Sequence, residues 1–193
     1  LTEGRFGVVD IATTDSMPGT PGLAEEQVLA LTAAVEGDSE HTIARGIRRA
    51  AKERELSLPE VSDFEAIKGR GVRASRNGHT LHVGGPRLLE MLELDLPESL
   101  TGFREDAQAK GQSVVYLVQE KQVAAAFALA DVIRPESKEV VDRLHDMGIE
   151  VAMLTGDSEA VAKAVAGELG IDQTFAEVLP EHKDKKVQQL QAE

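Results

Sequence analysis

Val151-Ala-Met-Leu-Thr-Gly-Asp157 is the stretch that decides the class of fold. Val151 to Leu154 is a continuous apolar run of the kind buried on both faces of a parallel sheet, and Thr155-Gly156-Asp157 leads from it into a helical pattern. Val161, Ala162, Val165 and Leu169 share one face of that helix, and Gly170 stops it. Upstream, Pro135 opens another helix at the first-turn position where proline is tolerated. Val140, Val141, Leu144 and Met147 are expected to line its buried side before Gly148 ends it. Downstream, Phe175-Ala176 begins a short strand and Pro180 to Ala192 a last helix. Strand and helix alternate here as in a doubly wound α/β domain, with only about half of such a sheet present.

Before residue 129 the grammar is different. Phe6-Gly-Val-Val-Asp-Ile11 reads as a strand, followed by a loop from Thr13 to Gly22 with two prolines and two glycines. Leu23 to Glu36 and His41 to Leu56 carry helical periodicity and form a helical hairpin, with Asp38 or Ser39 in place to cap the second helix. Its corner holds Glu36, Glu40 and His41. Short strands follow at 64–67, 71–74 and 80–83, the last two joined by Asn77-Gly78, a strong hairpin signal. Helical patterns over 86–93 and 100–110 lead to two final strands, 113–119 and 123–130. Residues 5–128 therefore read as an α+β lobe built on an antiparallel sheet.

Composition narrows the function. The 193 residues include 21 Lys plus Arg and 34 Asp plus Glu, a net charge of −13. From Leu129 onward the balance is seven basic against fourteen acidic, −7, leaving −6 for the remainder. With no basic face to release phosphate counterions, nucleic acid is excluded as an expected partner. The absence of cysteine removes disulfides, thiolate metal sites and cysteine nucleophiles. Five histidines without an H-x-x-x-H spacing give no metal site. The longest apolar run, Val123 to Ala130, is too short to span a bilayer, so direct membrane insertion of this segment is not expected.

Three places can carry chemistry. Thr155-Gly156-Asp157 lies where ligands sit in open α/β sheets, at the carboxyl end of a strand and near a helix amino terminus that favours anions. Thr155 can donate a hydroxyl to phosphate and Gly156 allows close approach; the plain alternative is a turn with Asp157 as an N-cap. Lys183, in Leu179-Pro-Glu-His-Lys183, can balance a phosphoryl charge or be a solvated helix-start lysine. In the first lobe, Ser39-Glu-His41 and Lys68-Gly-Arg-Gly71 pair a histidine with two glycines that let a ligand lie against bare backbone.

Taken in order, Leu1-Thr-Glu-Gly4, Ser39-Glu-His41, Gly69-x-Gly71, Asp131-x-x-Arg134-Pro135-Glu136, Thr155-Gly-Asp157 and Pro180-x-x-Lys183 resemble the large cytoplasmic loop of a heavy-metal (type IB) P-type ATPase, and most of all the copper-exporting subclass B. The resemblance covers essentially the whole chain. It implies a partial haloacid dehalogenase-like Rossmannoid phosphorylation domain, residues 1–4 and 129–193, with an α+β nucleotide-binding domain inserted at 5–128. It implies ATP and Mg²⁺ as cofactors. Glu36 and His41 would hold the purine, and Gly69 and Gly71 would admit the ribose and phosphates. Thr155, Gly156, Asp157 and Lys183 would serve the phosphoryl group. The partners would be the transmembrane and actuator domains of the same pump, at the cytoplasmic face of a membrane.

Some positions depart from the family pattern. The aspartate nucleophile would lie just before Leu1 and the magnesium motif beyond Glu193. Thr42 replaces the proline usual after the histidine, Gly85 a frequent asparagine, and His182 an aspartate. Segments near Gly4 to Phe6 and Leu129 to Asp131 are the expected hinges. Other readings are a stand-alone haloacid dehalogenase-type phosphatase with Asp10 as nucleophile, a pump for zinc, cadmium or lead, and a non-catalytic nucleotide-sensing module.

Overall fold

The computed structural model describes residues 1–14, 16–17, 20–21, 23–178, 184, 187 and 188. Two compact units account for them: one of residues 4–108 and 112–132, the other of 1–3, 109–111 and 133–193.

The larger unit is built on β1 (Thr2–Thr13), β4 (Ser62–Ile67), β5 (Gly71–Arg76), β6 (His79–Gly84), β7 (Ser113–Gln119) and β8 (Gln122–Ile133). These strands form one six-stranded sheet in the order β1-β8-β7-β6-β5-β4, antiparallel from β4 through β8. A minor ribbon pairs β2 (Ser16–Met17) with β3 (Thr20–Pro21) inside the stretch expected to be loop. Between β5 and β6 the turn is the one the sequence announces. Asn77 and Gly78 both take positive φ, 52° and 81°, the backbone of a type I′ turn, and Arg76 faces His79 across it.

Alternation along the strands loads both faces of the sheet. Val72, Ala74, Leu81, Val83, Leu117, Phe127 and Leu129 face a cluster with Val28, Leu29, Val35 and Ile47, supplied by α1 (Glu25–Val35) and α2 (Thr42–Glu53). Val114, Tyr116, Val118, Ala126 and Ala128 join Leu89, Leu100 and Ala107, from α3 (Pro86–Leu92) and α4 (Glu98–Ala109). A register shift at Leu117/Val118 brings the successive residues Ala124 and Ala125 into the first cluster, as a bulge does. α1 is buried from Val28 through Val35 without a polar stripe. Each fully buried Leu or Val there is worth about 1.5–3 kcal/mol over exposure, which anchors the corner that follows it.

β1 and β8 are longer than their apolar runs. Each provides the other's hydrogen bonds, extending β1 back to Thr2 and β8 beyond Asp131 to Ile133. Gly4 to Phe6 and Leu129 to Asp131, expected as linkers, are accordingly strand, and the Arg5 amide donates to Asp131 Oδ1 at 2.8 Å.

The smaller unit holds α5 (Pro135–Asp146), β9 (Ala152–Leu154), α6 (Glu159–Leu169) and β10 (Gln173–Phe175). β10 runs parallel to β9, with Met153 opposite Thr174. The chain start is tied to α5: the Leu1 carbonyl accepts from the Arg134 amide and from Ser137 Oγ, both at 3.0 Å. Two expectations are corrected. On α5 the inward stripe is Ser137 and Val141, while Val140 and Met147 are 52 % and 72 % exposed, because the helix meets its neighbours along one narrow line. On β9 only Met153 is buried and Ala152 is exposed: Met153 packs with Ala162 and Ala166 of α6, so one face of the strand is covered. The helix expected over 180–192 falls largely outside the described residues.

Candidate functional site

Residues 36–41 form the first candidate region, between two packed helices. α1 ends at Glu36, whose amide bonds back to the Thr32 carbonyl at 3.0 Å, and Gly37 turns the chain away. Glu36 is only 6 % exposed, and its Oε2 is buried without a hydrogen-bond partner. Burial pushes its carboxyl above the usual range, opposed by the Ser39 side chain and the Arg48 guanidinium. His41 differs from the sequence expectation in one respect. It, and neither Asp38 nor Ser39, is the N-cap of α2, its Nδ1 accepting from the Ile43 amide at 3.3 Å. The ring remains exposed, so Nε2 faces solvent chemistry while Nδ1 is engaged by the helix.

Two arginines of α2 reach back to this loop. Arg45 donates through Nε at 3.2 Å and Nη2 at 3.0 Å to the Glu40 carbonyl. Arg48 Nη1 donates to the Glu36 carbonyl and, at 2.8 Å, to the Ser39 carbonyl. The sequence reading did not single them out. The signal was available: α1 has no basic residue in its last turn, so its carbonyl end calls for a cation from elsewhere.

Gly69 and Gly71 lie at the β4–β5 turn for separate reasons. The Arg70 amide closes a four-residue turn on the Ile67 carbonyl at 2.9 Å, and Gly69 takes the φ of +72° that its third position demands. A Cβ there would meet nothing within 4 Å. Gly71, at φ +144°, is different: a Cβ would come within 2.0 Å of the Val83 carbonyl oxygen and 2.9 Å of Gly84 Cα. Gly71 and Gly84 are register partners, and the sheet's own backbone fills the space that a side chain at 71 would take. Gly69 is thus the glycine with open space above it. Gly85, a departure from the resembled pattern, is the N-cap of α3 and makes no side-chain capping bond.

The second region is the loop after β9. The Thr155 hydroxyl donates to Asp157 Oδ2 at 2.5 Å and accepts from the Asp157 amide at 3.1 Å. The N-cap of α6 is Ser158, with Oγ 3.5 Å from the Val161 amide, so Asp157 is turned to Thr155 rather than to the helix. Backbone bonds lace this loop to the chain after β10: Glu177 N to the Asp157 carbonyl and Val178 N to the Thr155 carbonyl, each 2.9 Å. Gly156 has no packing reason to be glycine, since a Cβ would sit an ordinary 3.7 Å from the Val178 carbonyl. Lys183 lies outside the described residues. Among the described residues no group of three or more His, Cys, Asp or Glu side chains is placed to hold a metal ion, and no helix is long and apolar enough to cross a membrane.

The family model for haloacid dehalogenase-like hydrolases matches residues 1–193. The copper-exporting P-type ATPase B of Archaeoglobus fulgidus is 42 % identical over 191 residues, 99 % of this chain and 26 % of that protein. Among solved structures, a zinc-transporting PIB-type ATPase superimposes with a TM-score of 0.87 at 31 % identity, over 100 % of this chain and 30 % of that one. The catalytic domain of the CPx-ATPase CopB-B, described for its conformational changes upon nucleotide binding, gives 0.60 at 26 % identity over 100 % of this chain and 64 % of that one. The chain spans about a quarter of the length of the curated relative it matches.

Proposed function

This chain belongs to the haloacid dehalogenase-like hydrolase family, and from that premise we propose that it is the ATP-binding and partial phosphorylation region of a copper-exporting P-type ATPase, working at the cytoplasmic face of a membrane with the transmembrane and actuator domains of the same pump. Residues 5–128 are the nucleotide-binding domain, and 1–4 with 129–193 the phosphorylation part.

The observation that carries this reading is the corner at 36–41. An orphaned carboxyl oxygen of a buried glutamate sits five residues from a histidine whose ring is fixed at one nitrogen and exposed at the other. A purine, with its donors and acceptors along one edge, suits that pair. Gly69, with nothing above its Cα, leaves room for the rest of the nucleotide. At the second region, the Thr155 hydroxyl donates to Asp157 in this structure and must turn from it to donate to a phosphoryl oxygen, Gly156 leaves its side open, and Lys183 is proposed to balance the phosphoryl charge. Phosphoryl transfer is governed by placement and charge more than by covalent help from the protein, and these residues do that kind of work. Mg²⁺, when bound, neutralises phosphate charge.

Copper is proposed over zinc, cadmium or lead on the resemblance to copper exporters, 42 % and 41 % identical; the solved structures do not rank the metals, since the zinc-transporting pump aligns at 31 % and CopB-B at 26 %. The phosphatase alternative is weakened by Asp10, which lies within β1 rather than at its carboxyl end and whose carboxylate accepts from the next amide, that of Ile11, at 2.9 Å. The test is a calorimetric titration of the chain with ATP, with and without Mg²⁺, beside the His41→Ala variant. Saturable binding that the variant loses supports the reading; absence of binding by the folded parent refutes it.

A further inference from the structure

The carbonyl end of α1 needs a cation, and the helix supplies none. Arg48, one helix away, supplies it in trans. One of its nitrogens donates to both the Glu36 and the Ser39 carbonyls, and the Glu36 carbonyl also takes the Ser39 amide at 3.1 Å. This closes the 36–39 turn on itself and ties it to the helix that His41 begins. Arg45 repeats the device one turn earlier, holding Glu40. The two elements that carry Glu36 and His41 are thereby fixed relative to each other by guanidinium groups, which suit this task because their donors form a rigid fork. Arg48 is half-buried and its donors are directed to the loop.

We infer that Arg48 is the positioning residue of the purine corner: by bridging the Glu36 and Ser39 carbonyls it fixes where the Glu36 carboxyl stands against His41, and it acts on the nucleotide through that loop. The inference rests on the purine reading of the corner given above. A loop free to relax would leave Glu36 present but misplaced, and misplacement by about 1 Å is enough to remove most of the benefit of a preorganised group.

The experiment is calorimetric ATP titration of the 193-residue chain as parent, Arg48→Met, Arg48→Lys, Glu36→Gln and the Arg48→Met/Glu36→Gln double variant, each checked for helix content by circular dichroism. Arg48→Met is expected to weaken ATP binding about tenfold, the order of one lost charge-assisted restraint. Arg48→Lys, able to reach one of the two carbonyls, is expected to recover most of it. The double variant is expected to bind no more weakly than the worse single, because residues acting through one another are non-additive. Should Arg48→Met lose its fold, Arg48→Lys and its own double with Glu36→Gln carry the same comparison. ATP binding by Arg48→Met equal to the parent's, beside a weakened Glu36→Gln, overturns the inference alone. So do effects of Arg48→Met and Glu36→Gln that multiply. Unchanged binding by Glu36→Gln overturns the purine reading and the inference with it.

Discussion

Replacing Gly71 by alanine tests the sheet before it tests any ligand. At φ +144° the residue occupies a region that is essentially glycine's own, costing an L side chain about 1–3 kcal/mol. The new methyl would also stand 2.0 Å from the Val83 oxygen and 2.9 Å from Gly84 Cα, both backbone atoms of the paired strand. Relief requires β5 and β6 to part by about 1 Å, a strain of the order seen in overpacked cores, about 1–3 kcal/mol. The expected loss is about 4 kcal/mol, a large share of the roughly 5–15 kcal/mol that holds a typical domain together. Gly69→Ala is the control. It pays only for its left-handed φ of +72°, about 1–2 kcal/mol, since nothing meets its Cβ. In urea unfolding, a difference of about 2–3 kcal/mol separates the two midpoints by about 1 M or more. Equal midpoints would refute the steric argument. Loss of ATP binding in a Gly71 variant therefore does not by itself locate a nucleotide; Gly69, whose space is open, is where bulk tests ligand approach.

The remaining predictions concern the two candidate regions. His41→Ala removes both the ring and the α2 cap and should cost about 1 kcal/mol of stability, whereas His41→Asn keeps the cap; thermal melts separate the two, and both variants are expected to lose ATP affinity. Glu36, its carboxyl pushed up chiefly by burial, favours the folded chain below its unfolded value and loses that contribution as pH rises through the folded one. Glu36→Gln should then be more stable than the parent at neutral pH, with the two converging below about pH 4.5 in denaturant titrations, and a constant difference across pH would contradict this. Asp172 is shifted the other way, held down by the Val151 amide and by His145; its contribution is present at neutral pH and lost as pH falls through its depressed value, so Asp172→Asn should flatten the acid limb of the smaller unit's stability. Gly85→Asn adds the capping side chain that α3 lacks and should stabilise the fold by about a few tenths of a kcal/mol, read as a slightly higher melting temperature.

Where local chemistry dictates backbone, the sequence was readable. Asn77-Gly78 gave the type I′ turn, the periodicities of 23–36 and 41–56 gave the helical hairpin, and the Val151–Leu154 run gave a strand pairing in parallel. What could not be read depends on partners distant in sequence. The lengths of β1 and β8 come from their mutual pairing, and Val140 and Met147 are exposed because α5 touches its neighbours along one line. The need for glycine at 71 comes from its register partner across the sheet, Gly84. At the corner, Glu36 and His41 were visible by type, but the capping role of His41 depends on where α2 begins. The Arg48 bridge depends on two helices meeting.

Tyr116 gives the molecule a spectroscopic asymmetry. The chain has no tryptophan and a single tyrosine, and that ring is 1 % exposed among the residues packed under α3 and α4. Ultraviolet emission therefore reports one event, the opening of the six-stranded unit, and is dark to the fate of β9, β10 and the helices beside them. A melt followed by tyrosine light will look all-or-none even if the smaller unit comes apart first. Only a probe that sees every peptide bond, such as far-ultraviolet dichroism, will count both transitions.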